Sequence, residues 1–123
     1  MENPERPTLL LVDDEERILS ALRRTLRREG YEILTVNSVA GALEVLDQRP
    51  VDLVLSDFKM PGMTGMELLA EARRRQPRVA RLLITGWSQA VSPAELAAAE
   101  VTMLISKPWE DADLKKALRE ALG

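Results

Sequence analysis

Leu9-Leu10-Leu11-Val12-Asp13-Asp14-Glu15-Glu16 is the stretch on which the fold turns. Four apolar residues with no polar residue between them predict a strand buried on both faces, and the change to acids marks its end. A strand covered on both sides belongs inside a parallel sheet, and the rest of the chain supplies the other parts. Glu15–Glu29 carries Ile18, Leu19, Leu22 and Leu26 at helical spacing, with Gly30 as a stop. Tyr31–Val36 reads as a second strand, and Ser38 can cap a helix striped by Val39, Ala42, Leu43 and Leu46. Val51–Leu55 is a third strand, followed by Ser56-Asp57 and a loop punctuated by Pro61 and Gly62. Thr64 can cap a third helix with Met66, Leu69 and Ala70, running out into Arg73-Arg74-Arg75. Val79–Ile84 is a fourth strand, Ser92 caps a short helix with Pro93 at its first position, and Met103–Ile105 is a fifth strand. Asp111–Leu122 closes the chain with Leu114, Ala117, Leu118, Ala121 and Leu122 on one helical face. Five strands alternating with five helices predict an α/β fold, a parallel sheet covered on both faces, as one domain over residues 1–123.

Composition narrows the chemistry. The 123 residues include no cysteine and no histidine, which removes thiolates, disulfides, the usual imidazole base and the usual zinc ligand. Carboxylates, hydroxyls and amines remain. A net charge of −3 argues against direct nucleic-acid binding, and no apolar run is long enough to span a membrane. Met1–Pro7 is polar, carries Glu2 and Glu5, and predicts no secretion signal. A soluble cytoplasmic protein is the plain expectation.

The strand ends collect the reactive groups. Asp13-Asp14 follows the first strand, Asp57 the third, Thr85 the fourth and Lys107 the fifth, while the second ends in Asn37. In a parallel sheet these ends share one edge, where open α/β folds place their ligands. Three carboxylates at close range repel one another, so a hard divalent cation is expected among Asp13, Asp14 and Asp57, with Mg²⁺ the best suited to oxygen ligands. A metal-coordinated carboxylate can attack a phosphoryl group, and Lys107 and Thr85 can balance the charge of the transferred oxygens. Each piece has a plainer reading by itself. Acids suit a helix N-terminus, an Asp or a Thr-Gly suits a turn, and a lysine is usually solvated. Their joint placement on four strand ends favours a site. Arg23-Arg24, Arg27-Arg28 and Arg73–Arg75 are read as solvated faces, Met60, Met63 and Met66 as loop and core packing, and Trp109 as packing at the last helix.

Four segments together resemble the receiver domains of two-component response regulators, of which a chemotaxis regulator is a familiar member. They are Leu-Val-Asp-Asp-Glu at 11–15, Ser-Asp-Phe-Lys-Met-Pro-Gly-Met-Thr-Gly at 56–65, Leu-Ile-Thr-Gly at 83–86 and Ser-Lys-Pro-Trp at 106–109. The resemblance implies a flavodoxin-like three-layer sandwich with strand order 2-1-3-4-5. It implies phosphoryl transfer to Asp57 from a sensor histidine kinase or phosphotransfer protein, and an output to a downstream effector domain or protein. By motif position Asp14 ligates Mg²⁺ (or Mn²⁺) directly, Asp13 acts mainly through water, and the Lys59 backbone carbonyl is a further ligand. Thr85 and Lys107 attend the phosphoryl group, and the Lys107–Pro108 bond is cis. Homodimerisation through the fourth helix, fifth strand and fifth helix is an open option. The domain phosphorylates and dephosphorylates itself, which makes it a switch and not an enzyme.

The departures also carry information. Leu104 stands where such domains usually have an inward-swinging aromatic. Trp87 is bulky, and with Lys59 it is expected to shield an aspartyl phosphate from water. Gln89–Thr102 has little apolar bulk and predicts a loosely held fourth helix. The Thr-Gly-Trp and Lys-Pro-Trp pairs resemble receivers attached to HD-type phosphodiesterases or hydrogenase regulators. Two rival functions follow: a pseudoreceiver that binds protein without using Asp57, which Leu104 slightly favours and the intact set of Asp57, Thr85 and Lys107 argues against, and an aspartyl-nucleophile phosphatase. The second is the weaker, because such enzymes need an acid where Lys59 stands.

Overall fold

A computed structural model describes residues 6–86, 93–98 and 100–123. The elements run β1 (Thr8–Val12), α1 (Glu16–Leu26), β2 (Glu32–Val36), α2 (Val39–Gln48), β3 (Leu53–Asp57), α3 (Gly65–Arg75), β4 (Ala80–Thr85), α4 (Pro93–Ala98), β5 (Met103–Ser106) and α5 (Asp111–Leu122). All strand pairs are parallel and the sheet order is β2-β1-β3-β4-β5. The α/β sandwich and its strand order are those the resemblance implies.

The unbroken apolar run of β1 has a direct cause. Side chains alternate across a strand, so a run with both faces covered must be apolar throughout. Leu10 and Val12 pack with α2 and α3 through Leu46, Leu69 and Ala72. Leu9 and Leu11 pack on the other face with Leu19, Leu22 and Leu26 of α1 and Leu114 and Leu118 of α5. Burying each such leucine is worth about 2 kcal/mol relative to leaving it exposed.

Helix starts follow local chemistry. Ser38 Oγ accepts from the Gly41 N–H at 3.0 Å. Thr64 and Glu67 form a reciprocal capping box at α3. At α1 the N-cap residue, Glu15, makes no side-chain cap bond; its own N–H donates to Asp13 Oδ1 at 2.8 Å. The Ser92 cap expected for α4 lies outside the described residues, as does Trp87.

Several boundaries depart from the sequence reading. β3 runs Leu53–Asp57, two residues later than expected, because Ser56 and Asp57 stay in register with β4 (Ser56↔Leu83, Asp57↔Ile84). α1 ends at Leu26, its last buried leucine, and Glu29 lies beyond it. In α3 the buried positions are Gly65, Met66, Leu68, Leu69 and Ala72, so Ala70 is not part of the stripe proper. Met60 and Met63 pack against the α2–α3 side of the core, as loop and core packing requires.

Candidate functional site at the carboxyl edge of the sheet

The register brings the predicted residues together. Val12 pairs with Ser56, Asp57 with Ile84 and Thr85 with Ser106, so Asp13, Asp57, Thr85 and Lys107 emerge at one level of the sheet. Backbone bonds hold that edge: Asp13 N–H to Val36 O at 3.3 Å, Phe58 N–H to Ile84 O at 3.0 Å and Lys107 N–H to Thr85 O at 2.9 Å. The Lys107–Pro108 peptide is cis.

Asp13 is 1% exposed, Asp57 8% and Thr85 4%, whereas Asp14 is open to solvent. The Lys107 ammonium donates to Asp57 Oδ1 at 2.9 Å and to Asp13 Oδ2 at 3.3 Å. One cation thus bridges two buried carboxylates. Burial pushes the Asp13 carboxyl above its ordinary value, with Asp57 adding to the rise; the Glu15 N–H and Lys107 oppose it. Burial alone would depress Lys107, but its bonds to Asp57 and Asp13 and their charges outweigh that, leaving it above the ordinary lysine value.

Asp13, Asp14 and Asp57 each offer a carboxylate oxygen, and these lie within 4.8 Å of one another. All the donors are hard oxygens, two come from buried residues, and one lysine leaves three carboxylates short of neutrality. The set fits a small divalent cation with oxygen preference. A cleft of about 580 Å³ adjoins it, lined by Glu15, Asp57, Phe58, Lys59, Thr85, Gly86 and Lys107. Lys59 is exposed at its rim. Leu104, on β5 and 39% exposed, is not among the residues lining the cleft.

Gly65, the last residue of the 56–65 segment, was given no role by the sequence reading. A Cβ built there would sit 2.1 Å from the Asp57 carbonyl oxygen and 2.9 Å from Leu83 Cδ1. The helix N-terminus therefore rests directly on the backbone of Asp57, with Gly65 N–H donating to Phe58 O at 2.8 Å. The available signal was a glycine at the first position of a helix immediately after its cap, a costly choice unless space demands it. Ser56 was also passed over; its hydroxyl donates to the Asp57 carbonyl at 2.9 Å and is fully buried.

Residues 9–119 match the family described as the response regulator receiver domain. Over 116 residues the chain is 40% identical to the hydrogenase transcriptional regulatory protein HoxA of Cupriavidus necator, covering 94% of this chain and 24% of that protein. Among solved structures it is similar to the signal receiver domain of an HD domain-containing protein from Pseudomonas fluorescens Pf-5. The TM-score is 0.91 at 36% identity, covering 99% of this chain and 90% of the other. It also resembles the response regulator TrrA of Thermotoga maritima, solved in complex with Mg(2+)-BeF, with TM-score 0.85, 30% identity and coverage of 94% and 98%. The chain spans about a quarter of the length of the curated relatives it matches. No helix among the described residues is long and apolar enough to cross a membrane. A family match that begins within β1 and ends within α5 takes in every strand and the whole acidic edge: the chain belongs to the response regulator receiver domains.

Proposed function

We propose that this chain is a single receiver domain acting as a cytoplasmic phosphorylation switch, with Asp57 as the phosphoryl acceptor and Mg²⁺ as its cofactor. The observation that carries the reading is the Lys107 ammonium, 2.9 Å from Asp57 Oδ1 and 3.3 Å from Asp13 Oδ2, inside a cluster of three carboxylates.

The donor is a phosphohistidine on a sensor kinase or phosphotransfer protein. An Asp57 carboxylate oxygen forms the new P–O bond as the P–N bond breaks, and the imidazole leaves with the electron pair of that bond. Lys107 keeps its proton and stays with the charge that the phosphoryl oxygens bring, while the Thr85 hydroxyl lies at the same sheet edge to donate to them. Asp14 and the Lys59 carbonyl are assigned as direct metal ligands with Asp57, and Asp13 as a ligand acting mainly through water. Bound Mg²⁺ supplies positive charge that lowers carboxylate repulsion and draws in phosphoryl oxygens. Lys59, exposed beside Asp57, is assigned a part in slowing water attack on the aspartyl phosphate. The exposed Leu104 on β5 supports an output surface on the α4–β5–α5 face, toward an effector domain, another protein or a second copy.

The test is intact mass after incubation with acetyl phosphate and Mg²⁺, beside Asp57→Asn. One added phosphoryl group that is lost in the variant supports the reading. Folded wild-type protein that gains nothing makes this a pseudoreceiver, working by binding alone.

A further inference from the structure

Opposite the acidic edge, a groove of about 510 Å³ opens between α1 and the edge strand β2, with Arg6, Arg23, Arg24, Arg27, Tyr31 and Ile33 in its wall. Arg6 precedes β1 and Tyr31 precedes β2, which places the groove toward the amino-terminal ends of the strands. Arg27 lies three residues from Arg24 and four from Arg23, spacings at which like charges on a helix repel. Among the described residues none of these four arginines is in an ion pair. Glu32, the acid in the wall, is engaged by Arg49 at 3.0 Å.

Cations suit the last turn of a helix, and that accounts for Arg23, Arg24 and Arg27. It does not account for Arg6, which comes from another segment to the same cavity. Nor does it account for how two of the guanidiniums are held: Arg23 donates to the Thr35 hydroxyl at 3.0 Å and Arg6 to the Tyr31 carbonyl at 3.4 Å. Neutral acceptors orient these groups without neutralising them. In a domain of net charge −3, a concave cluster of arginines without an ion pair among the described residues is a local inversion of sign.

We propose that this groove binds a polyphosphate anion, the chemistry shared by inorganic polyphosphate and nucleoside triphosphates. Guanidinium forks match phosphate oxygens two at a time, and the volume falls in the range of about 300–1,000 Å³ common for small-ligand sites. A bound anion relieves the repulsion among the arginines, so it stabilises the fold as well as filling the groove. The groove's lining shares no residue with that of the cleft at Asp57.

Titration calorimetry of the full chain with sodium tripolyphosphate and with ATP, in low salt without Mg²⁺, tests this. A saturable one-to-one isotherm with sub-millimolar Kd is expected, unchanged in Asp57→Asn. Arg24→Glu/Arg27→Glu weakens it about tenfold or more, while Arg73→Glu/Arg74→Glu, an equal change of net charge elsewhere, leaves it in place. If the first pair fails to fold, Arg24→Gln/Arg27→Gln makes the same test. ATP binding tighter than tripolyphosphate identifies a nucleotide as the source, and equal binding identifies the phosphate chain alone; both support the site. No saturable binding below millimolar, or equal loss in both charge-reversed pairs, overturns it and leaves the phosphorylation reading untouched.

Discussion

Gly65→Ala is a substitution for which two physical effects predict opposite signs. Helix propensity favours alanine over glycine by about 1 kcal/mol in a helix interior and by less near a start. Sterics oppose it: the new methyl would lie 2.1 Å from the Asp57 carbonyl oxygen, where contacts under 3.0 Å are essentially never seen. The neighbour is backbone and cannot swing aside. β3 and α3 must part by nearly an ångström, straining the bond from Gly65 N–H to Phe58 O at 2.8 Å and that from Phe58 N–H to Ile84 O at 3.0 Å. Overpacking costs about 1–3 kcal/mol and a lost buried hydrogen bond about 1–3 more, so a net loss of about 2–4 kcal/mol is expected. The same shift moves Asp57 away from Lys107, so phosphorylation by acetyl phosphate should slow even where the variant is folded. Urea unfolding followed by circular dichroism measures the first effect and intact mass over time the second. Gly41→Ala is the control, since its methyl would meet Ser38 Oγ at 3.2 Å and Val36 Cβ at 3.4 Å, contacts with far less overlap than the one at Gly65. A Gly65→Ala protein as stable as wild type would refute the reasoning.

Asp13→Asn should raise the melting temperature of the metal-free protein near pH 7, because burial and the Asp57 charge disfavour the Asp13 carboxylate more than Lys107 and the Glu15 N–H favour it. The sign follows from Asp13's folded pKa lying above its ordinary 3.8: its stabilising contribution is full below 3.8 and lost as pH rises through the folded value. The Asn variant should therefore gain over wild type as pH rises through that window and show no gain below it. Millimolar Mg²⁺ should raise the melting temperature of wild type by binding the folded state, and raise it less in Asp13→Asn; an unchanged wild-type midpoint would count against the metal site. Arg81→Met should cost about 2–3 kcal/mol in chemical denaturation. The buried guanidinium donates twice to the Glu100 carbonyl, at 3.0 and 2.8 Å, and once to Val79 O at 2.6 Å, and methionine leaves both carbonyls without those donors.

What could be read in advance was whatever repeats along the chain. β1 was legible because burial on both faces writes itself as an uninterrupted apolar run, and α1 because Leu19, Leu22 and Leu26 return at helical spacing. The C-terminal end of β3 was placed two residues early for the same reason: Ser56 and Asp57 break the apolar run yet remain in the strand. Pairing with β4 holds them there, with the Ser56 hydroxyl satisfied by the Asp57 carbonyl. Arg81 gave no sign of its role, since an arginine in a strand reads as a solvated side chain until carbonyls from another loop are seen to receive it. Gly65 escaped because its partner, the Asp57 carbonyl, is brought close by the turn of the intervening loop, and distance across a loop has no period.

The acidic site was legible through a different property, charge without local compensation. Asp13 and Asp14 are followed directly by two further acids, Glu15 and Glu16, and the base that reaches Asp13 and Asp57 is Lys107, from a distant strand end. One ammonium among three carboxylates leaves the cluster net negative, and Asp13 bears that cost as a carboxyl pushed upward by burial and by Asp57. The backbone of that edge is held by the Asp13 N–H donating to Val36 O, the Phe58 N–H donating to Ile84 O and the close seat of Gly65. A rigid frame holding unbalanced charge is poised to gain from any added cation. On the proposed reading, a phosphoryl group on Asp57 adds negative charge to this cluster, and Lys107 meets it by loosening its hold on Asp57 or Asp13. On the same reading, that redistribution of one lysine's bonds links chemistry at Asp57 to β5, the strand that carries the exposed Leu104.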